Sequence, residues 1–255
     1  MVSGLDFSAP AISAASALAA SLGLAARFVV SDVYDAVAAF GGQRFDIVYT
    51  GTGALVWLPD IPRWARVVAG LLVPGGFVYL VEGHPFVQIL DAGPAGLVVA
   101  RDYFDTAPQV EDYPYTYTDG PALSHSRQVE FQHGLGEIVT SLADAGLRIE
   151  FVHEHDFEAF ARFDSLQRQE DGTYRLPSGQ PRVPMMYSLR ASLAGPGSAG
   201  EGLRGFGGRE TVRYGVTAAP GRGGCCGRSS MAELQPSKLV MRVRFPSPAL
   251  SRFRW

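Results

Sequence analysis

The chain has 255 residues, 47% hydrophobic and 18% charged, which suits one globular domain with a real core and excludes a disordered polymer. Its net charge of −3 conceals a division: residues 195–255 hold ten of the 22 Lys/Arg and three of the 25 Asp/Glu, leaving the first 194 residues at 12 against 22, a net of −10. So acidic a body disfavours a nucleic-acid partner. The two adjacent cysteines, Cys225 and Cys226, exclude a disulfide framework and a zinc spacing, so a cytoplasmic setting and no metal are expected.

Val2–Phe7 reads as a short buried strand closing on Asp6. Ser8 can cap a helix with Pro10 in its first turn, running to about Leu22, where Gly23 supplies a left-handed stop. The alanine-rich run Ala11–Val30 follows Asp6 and is broken by Ser13, Ser16, Ser21 and Arg27, so it reads as a helix plus a strand and no membrane partner is expected. Arg27–Val30 is a second strand ending at Ser31-Asp32, Asp35–Phe40 a short helix, and Phe45–Tyr49 a third strand followed by the turn Thr50–Gly53. Pro62 starts a helix through Leu72 with Trp64, Val67, Val68, Leu71 and Leu72 on one face, and Pro74-Gly75-Gly76 turns it into the strand Phe77–Val81. Residues 91–130, rich in Pro, Tyr and Asp, break the rhythm as an inserted lid or strand pair. Leu135–Ala145 is a helix stopped by Gly146, and Leu147–His153 and Met185–Leu193 are late strands able to pair antiparallel at the sheet edge. Apolar strands alternating with amphipathic helices predict an α/β fold: a Rossmann-like, doubly wound, mostly parallel sheet with an antiparallel edge pair.

Open α/β sheets bind ligands at the carboxyl ends of their strands. Asp6 ends the first strand, where a carboxylate can accept both hydroxyls of a ribose. Asp32 ends the second and can accept from an adenine amino group, with the Val33 amide beside it. The Tyr49–Gly53 turn ends the third and leaves backbone exposed to a ligand. The ordered repetition of these features carries more than any one of them.

Gly4-Leu5-Asp6-Phe7-Ser8, Phe28-Val29-Val30-Ser31-Asp32-Val33, Phe45-Asp46-Ile47-Val48-Tyr49 and Leu71-Leu72-Val73-Pro74-Gly75-Gly76-Phe77, in that order, resemble the class I S-adenosylmethionine-dependent methyltransferases from their second strand onward. The resemblance covers about residues 1–193, taken as one domain. It implies S-adenosylmethionine as cofactor, with Asp6 on the ribose, Asp32 and Val33 on the adenine, and Tyr49, Thr50 and Gly51 under the methionine part. It also implies a sheet in the order three-two-one-four-five-seven-six, with strand seven antiparallel. The family's first strand and glycine-rich loop would precede Gly4, so Met1 falls inside the second strand and the chain is expected to bind the cofactor weakly or not at all. Methyl transfer is an in-line displacement that needs a base only where the acceptor must lose a proton; His84, and after it His133, are the candidates. His153 and His155 are read as structural. Trp57, Tyr103 and Tyr115 can wall a pocket for a small-molecule acceptor. Two other readings stand beside this one: a truncated, inactive remnant of the family, and another nucleotide-binding α/β protein.

Gly195–Gly224 is rich in Gly, Arg and Ala without a period and cannot build a core, so residues 194–255 are read as a disordered basic tail that packs little against the body. Cys226–Ala249 can be back-translated, with codons chosen freely, into a transfer RNA gene with paired acceptor stems. The tail is therefore read as a frame that has run past its natural end.

Overall fold

The computed structural model describes residues 2–94, 96–112, 126–195 and 239–242. Strand β1 (Val2–Asp6) leads into α1 (Ala9–Ser21), whose cap is Ser8: its hydroxyl accepts the Ala11 N–H at 3.3 Å. Strand β2 (Ala26–Val30) lies parallel to β1 and passes through a 3-10 turn, Val33–Asp35, into α2 (Ala36–Ala39). Strand β3 (Phe45–Thr50) is followed by a second 3-10 turn, Leu55–Trp57, then α3 (Ile61–Leu71) and β4 (Leu72–Gly83). Asp60 caps α3 by accepting the Arg63 N–H at 2.7 Å, and the helix buries Trp64, Val67, Val68 and Leu71, the face expected from their spacing.

Pro74–Gly76 is not the separate turn expected from its composition. It is an irregularity inside β4, whose register against β3 shifts between Phe45 and Ile47. Two glycines make this possible. Gly75 adopts φ +84°, and a Cβ on Gly76 would stand 2.9 Å from the Asp46 carbonyl oxygen.

After α4 (Pro85–Gln88) the expected insertion forms two antiparallel pairs, β5 (Leu90–Gly93) with β6 (Gly96–Val99) and β7 (Gln109–Asp112) with β8 (Arg127–Glu130). It is thus a strand pair twice over; Tyr115 lies outside the described residues. Helix α5 (Leu135–Asp144) and strand β9 (Leu147–His155) follow. Then come a small hairpin, β10 (Gln167–Arg168) with β11 (Tyr174–Arg175), and β12 (Met186–Leu193). As expected, the two late strands pair, with β12 antiparallel to both β4 and β9.

The seven-stranded sheet runs β2-β1-β13-β3-β4-β12-β9, where β13 is Leu239–Arg242. Its central strand is therefore a four-residue segment from beyond Gly195 that pairs with the body on both sides; the rest of the tail, expected to pack little against the body, lies outside the described residues. Leu239 pairs with Leu5 on one side and Thr50 on the other, and β13 is antiparallel to both neighbours. The physical reason is backbone accounting. The facing edges of β1 and β3 present rows of N–H and C=O groups that any extended segment can satisfy, and burying them unpaired is costly.

Crossovers run outward in opposite directions from the centre, β1 to β2 one way and β3 to β4 the other. Right-handed connections then put α1 and α3 on opposite faces. Helix α3 packs against α2 and α5, and the core between them and the sheet contains Phe45, Trp64, Leu71, Leu72, Leu80, Leu142 and Leu189, all fully buried. Among the described residues no helix is long and apolar enough to cross a membrane.

Candidate cofactor and acceptor site

The carboxyl ends of β1, β2, β3 and β4 share one edge of the sheet. Asp6 pairs with Val30 and Thr50 with Leu80, so along this edge, in the order of the strands, stand Asp32, Asp6, Thr50 and Glu82. Asp6 is buried, and its Oδ1 accepts the Ser8 N–H at 2.6 Å. Asp32 accepts the Tyr34 N–H at 2.8 Å and so caps the turn that holds Val33, itself buried. Thr50 is buried, and its hydroxyl has no hydrogen-bond partner among the described residues. Gly51 packs against the ring of Tyr49: a Cβ there would meet its Cε1 at 3.0 Å. Tyr49 in turn stacks on Tyr79, with ring centroids 6.3 Å apart. Burial, then the nearby Glu82 and Tyr79, raises the Tyr49 phenol, which therefore stays neutral.

Strand β13 stands between Asp6 and Thr50. Because it is reversed, its amino end lies at the edge where the family resemblance predicts the carboxyl end of a strand.

The two candidate bases have other partners. His84 caps α4: its Nδ1 accepts the Phe86 N–H at 3.0 Å, which leaves the proton on Nε2 for Glu154 Oε1 at 2.9 Å. Burial lowers its pKa, with Glu154 opposing. His133 places Nε2 2.7 Å from the Leu58 carbonyl oxygen and Nδ1 3.1 Å from Glu137 Oε2. Both nitrogens of each ring have a hydrogen-bond partner. The two rings tie the edge together, His84 to β9 and His133 to the segment after β3. His153 stacks on Phe151 and His155 bonds Ser188 at 3.0 Å, on the outermost strand.

Glu82, at the end of β4, joins the site without any motif to announce it in the sequence. It is 3% exposed and receives three backbone N–H groups: Gly53 at 2.6 Å on Oε2, and Ala54 at 2.8 Å and Leu55 at 3.4 Å on Oε1. Burial lifts its carboxyl to about 8, although the amides of Ala54, Gly53, Leu55 and Gly83 favour the ionised form. The available signal was positional, since Glu82 ends its strand as Asp6 and Asp32 end theirs.

Beside this edge lies a cavity of about 270 Å³ lined by Val56, Gln88, Arg101, Glu111, Glu130 and Phe131 among others. A space of about 20 Å³, lined by Leu55, Glu82, Phe131, His133 and Tyr187, lies between it and the core. Trp57 is half-buried next to Val56, and Tyr103 accepts the Leu135 N–H at 3.3 Å.

An open sheet with a switch in crossover direction and carboxylates at successive strand ends defines a nucleotide-binding α/β fold. Residues 1–76 match the family described as the methyltransferase domain. Among solved structures, a protein of Listeria monocytogenes assigned as an S-adenosylmethionine-dependent methyltransferase is similar, at 16% identity and TM-score 0.50, over 75% of this chain and 79% of that one. A methyltransferase of Mesorhizobium loti is 20% identical, with TM-score 0.48, over 74% and 79%. No curated protein sequence matches the chain.

Proposed function

We propose that the chain is an S-adenosylmethionine-dependent methyltransferase acting on a small-molecule acceptor, its site contained in residues 1–193. The supporting observation is the alignment of Asp6, Asp32 and Thr50 along one sheet edge, in the order expected from the resemblance. The residues there fit the nucleoside end of the cofactor: a buried carboxylate, a second carboxylate at a turn, and a buried hydroxyl without a partner among the described residues. When bound, the cofactor supplies an electrophilic methyl on a sulfonium. Asp6 would accept the ribose hydroxyls, Asp32 and the Val33 amide would meet the adenine, and Tyr49, Thr50 and Gly51 would lie under the methionine part. The 270 Å³ cavity suits a small acceptor, and Asp102, Asp105, Glu111 and Glu130 against Arg101 disfavour an anionic one. With both histidines engaged, acceptors that need no resident base fit best.

The reversed β13 favours a second reading, a methyltransferase remnant whose cofactor affinity is lost. Calorimetry with S-adenosylmethionine separates the two. Micromolar binding, weakened at least about tenfold by Asp6→Ala, supports the enzyme, since each charge-assisted bond is worth about 1.5–3 kcal/mol. An absence of binding heat at millimolar cofactor supports the remnant.

A further inference from the structure

Glu82 is a carboxylate inside the sheet with no cation among its bonding partners in the described residues. Its position is set by β4 and β12, where it pairs with Tyr187, and its two oxygens face away from both strands' ladders toward the loop after β3. Three consecutive amides, Gly53, Ala54 and Leu55, converge on those oxygens. The last of them begins the 3-10 turn Leu55–Trp57, which has no side-chain cap of its own. Consecutive N–H groups pointing one way form an anion-binding concavity. Here the anion is part of the chain, and it joins the carboxyl end of β4 to the exit of β3. The titratable groups that face it are Tyr49 on β3 and Tyr187 on β12, both phenols held neutral by burial, and His133, which lines the same small space.

We propose that Glu82 is the positioning residue of the cofactor mouth: by holding the amides of Gly53, Ala54 and Leu55 it sets the path of the Thr50–Gly53 turn on which the methionine end of the cofactor would rest. The cofactor part of this inference depends on the function proposed above; the clamp itself does not. An isosteric amide at this position keeps one acceptor oxygen and turns an NH2 group toward a backbone N–H, so it breaks part of the clamp without opening a cavity.

The test compares the native chain with Glu82→Gln, and with Glu158→Gln as a control that removes another buried carboxylate away from the mouth. Amide NMR spectra are recorded across pH 6–9.5, and S-adenosylmethionine is titrated at pH 9. In the native chain the Gly53 and Ala54 amide protons should lie downfield and move together through a single titration. Both features should vanish in Glu82→Gln and persist in Glu158→Gln. Cofactor affinity should fall at least about tenfold in Glu82→Gln alone. Amide shifts that are the same in the native chain and Glu82→Gln overturn the clamp, and equal affinities overturn its role at the mouth. If the native chain binds no cofactor, the proposed function and the cofactor role fall together, while the amide shifts still decide whether Glu82 holds the turn.

Discussion

Two buried carboxyls make this protein's stability depend on pH in an unusual direction. Burial raises Glu82 to about 8 and Glu158 to about 7, from an ordinary 4.5. The folded state therefore keeps protons that the unfolded chain has already released. The stability this contributes is whole below about pH 4.5 and is lost as pH rises, by about 7 for Glu158 and about 8 for Glu82. Each tenfold difference in proton affinity between the folded and unfolded states corresponds to about 1.4 kcal/mol, so the loss amounts to a few kcal/mol for each group. Urea melts between about pH 4.5 and 8.5 should show falling midpoints for the native chain. Glu82→Gln should remove its share of that slope up to about pH 8 and Glu158→Gln its share only up to about pH 7, so the slope between 7 and 8 should survive in Glu158→Gln alone; a slope unchanged in both would show that other groups set it. Asp6 and Asp32 were legible as site candidates because they end apolar runs in succession. Glu82 follows the same rule, but its function depends on amides 27 to 29 residues away, which no local pattern reports.

Elements with a strong local signal formed where expected. Helix α3 has an N-cap, a proline in its first turn and an apolar face at helical spacing, and it buries Trp64 completely. Trp64→Ala should cost about 3–5 kcal/mol in chemical denaturation, because the site is walled by the sheet and α5 and cannot collapse. Strand β13 is the opposite case. Four residues pair on both sides with strands more than 180 residues away in sequence. Val240→Pro removes a donor from the middle of that ladder and leaves its partners unpaired, at about 1–3 kcal/mol for each buried group. Hydrogen exchange should then quicken in β1 and β3 while β9 and β12 keep their protection. Unchanged exchange in β1 and β3 would show that β13 does not hold them.

For the whole molecule, binding and folding are linked. A ligand at a hundred times its dissociation constant adds about 2.7 kcal/mol to stability, which for a domain of this size is a rise in Tm of roughly 5–10 °C. Thermal melts with and without saturating S-adenosylmethionine should show that rise if the chain is an active methyltransferase, and none if the reversed central strand has abolished the site. The sequence by itself determined the alternation of strands and helices, the direction of each crossover, the acidic body with its basic tail, and the carboxylates that end β1 and β2. These follow from periodicity, caps and handedness, which act within a few residues of one another. Only the tertiary structure decided which segment fills the middle of the sheet, that the glycine pair at Gly75-Gly76 is a bulge and not a turn, that both candidate histidines spend their nitrogens on neighbouring groups, and that Glu82 gathers the amides after β3. Each of these is set by where unpaired polar groups find partners across the fold, and burial makes that pairing obligatory.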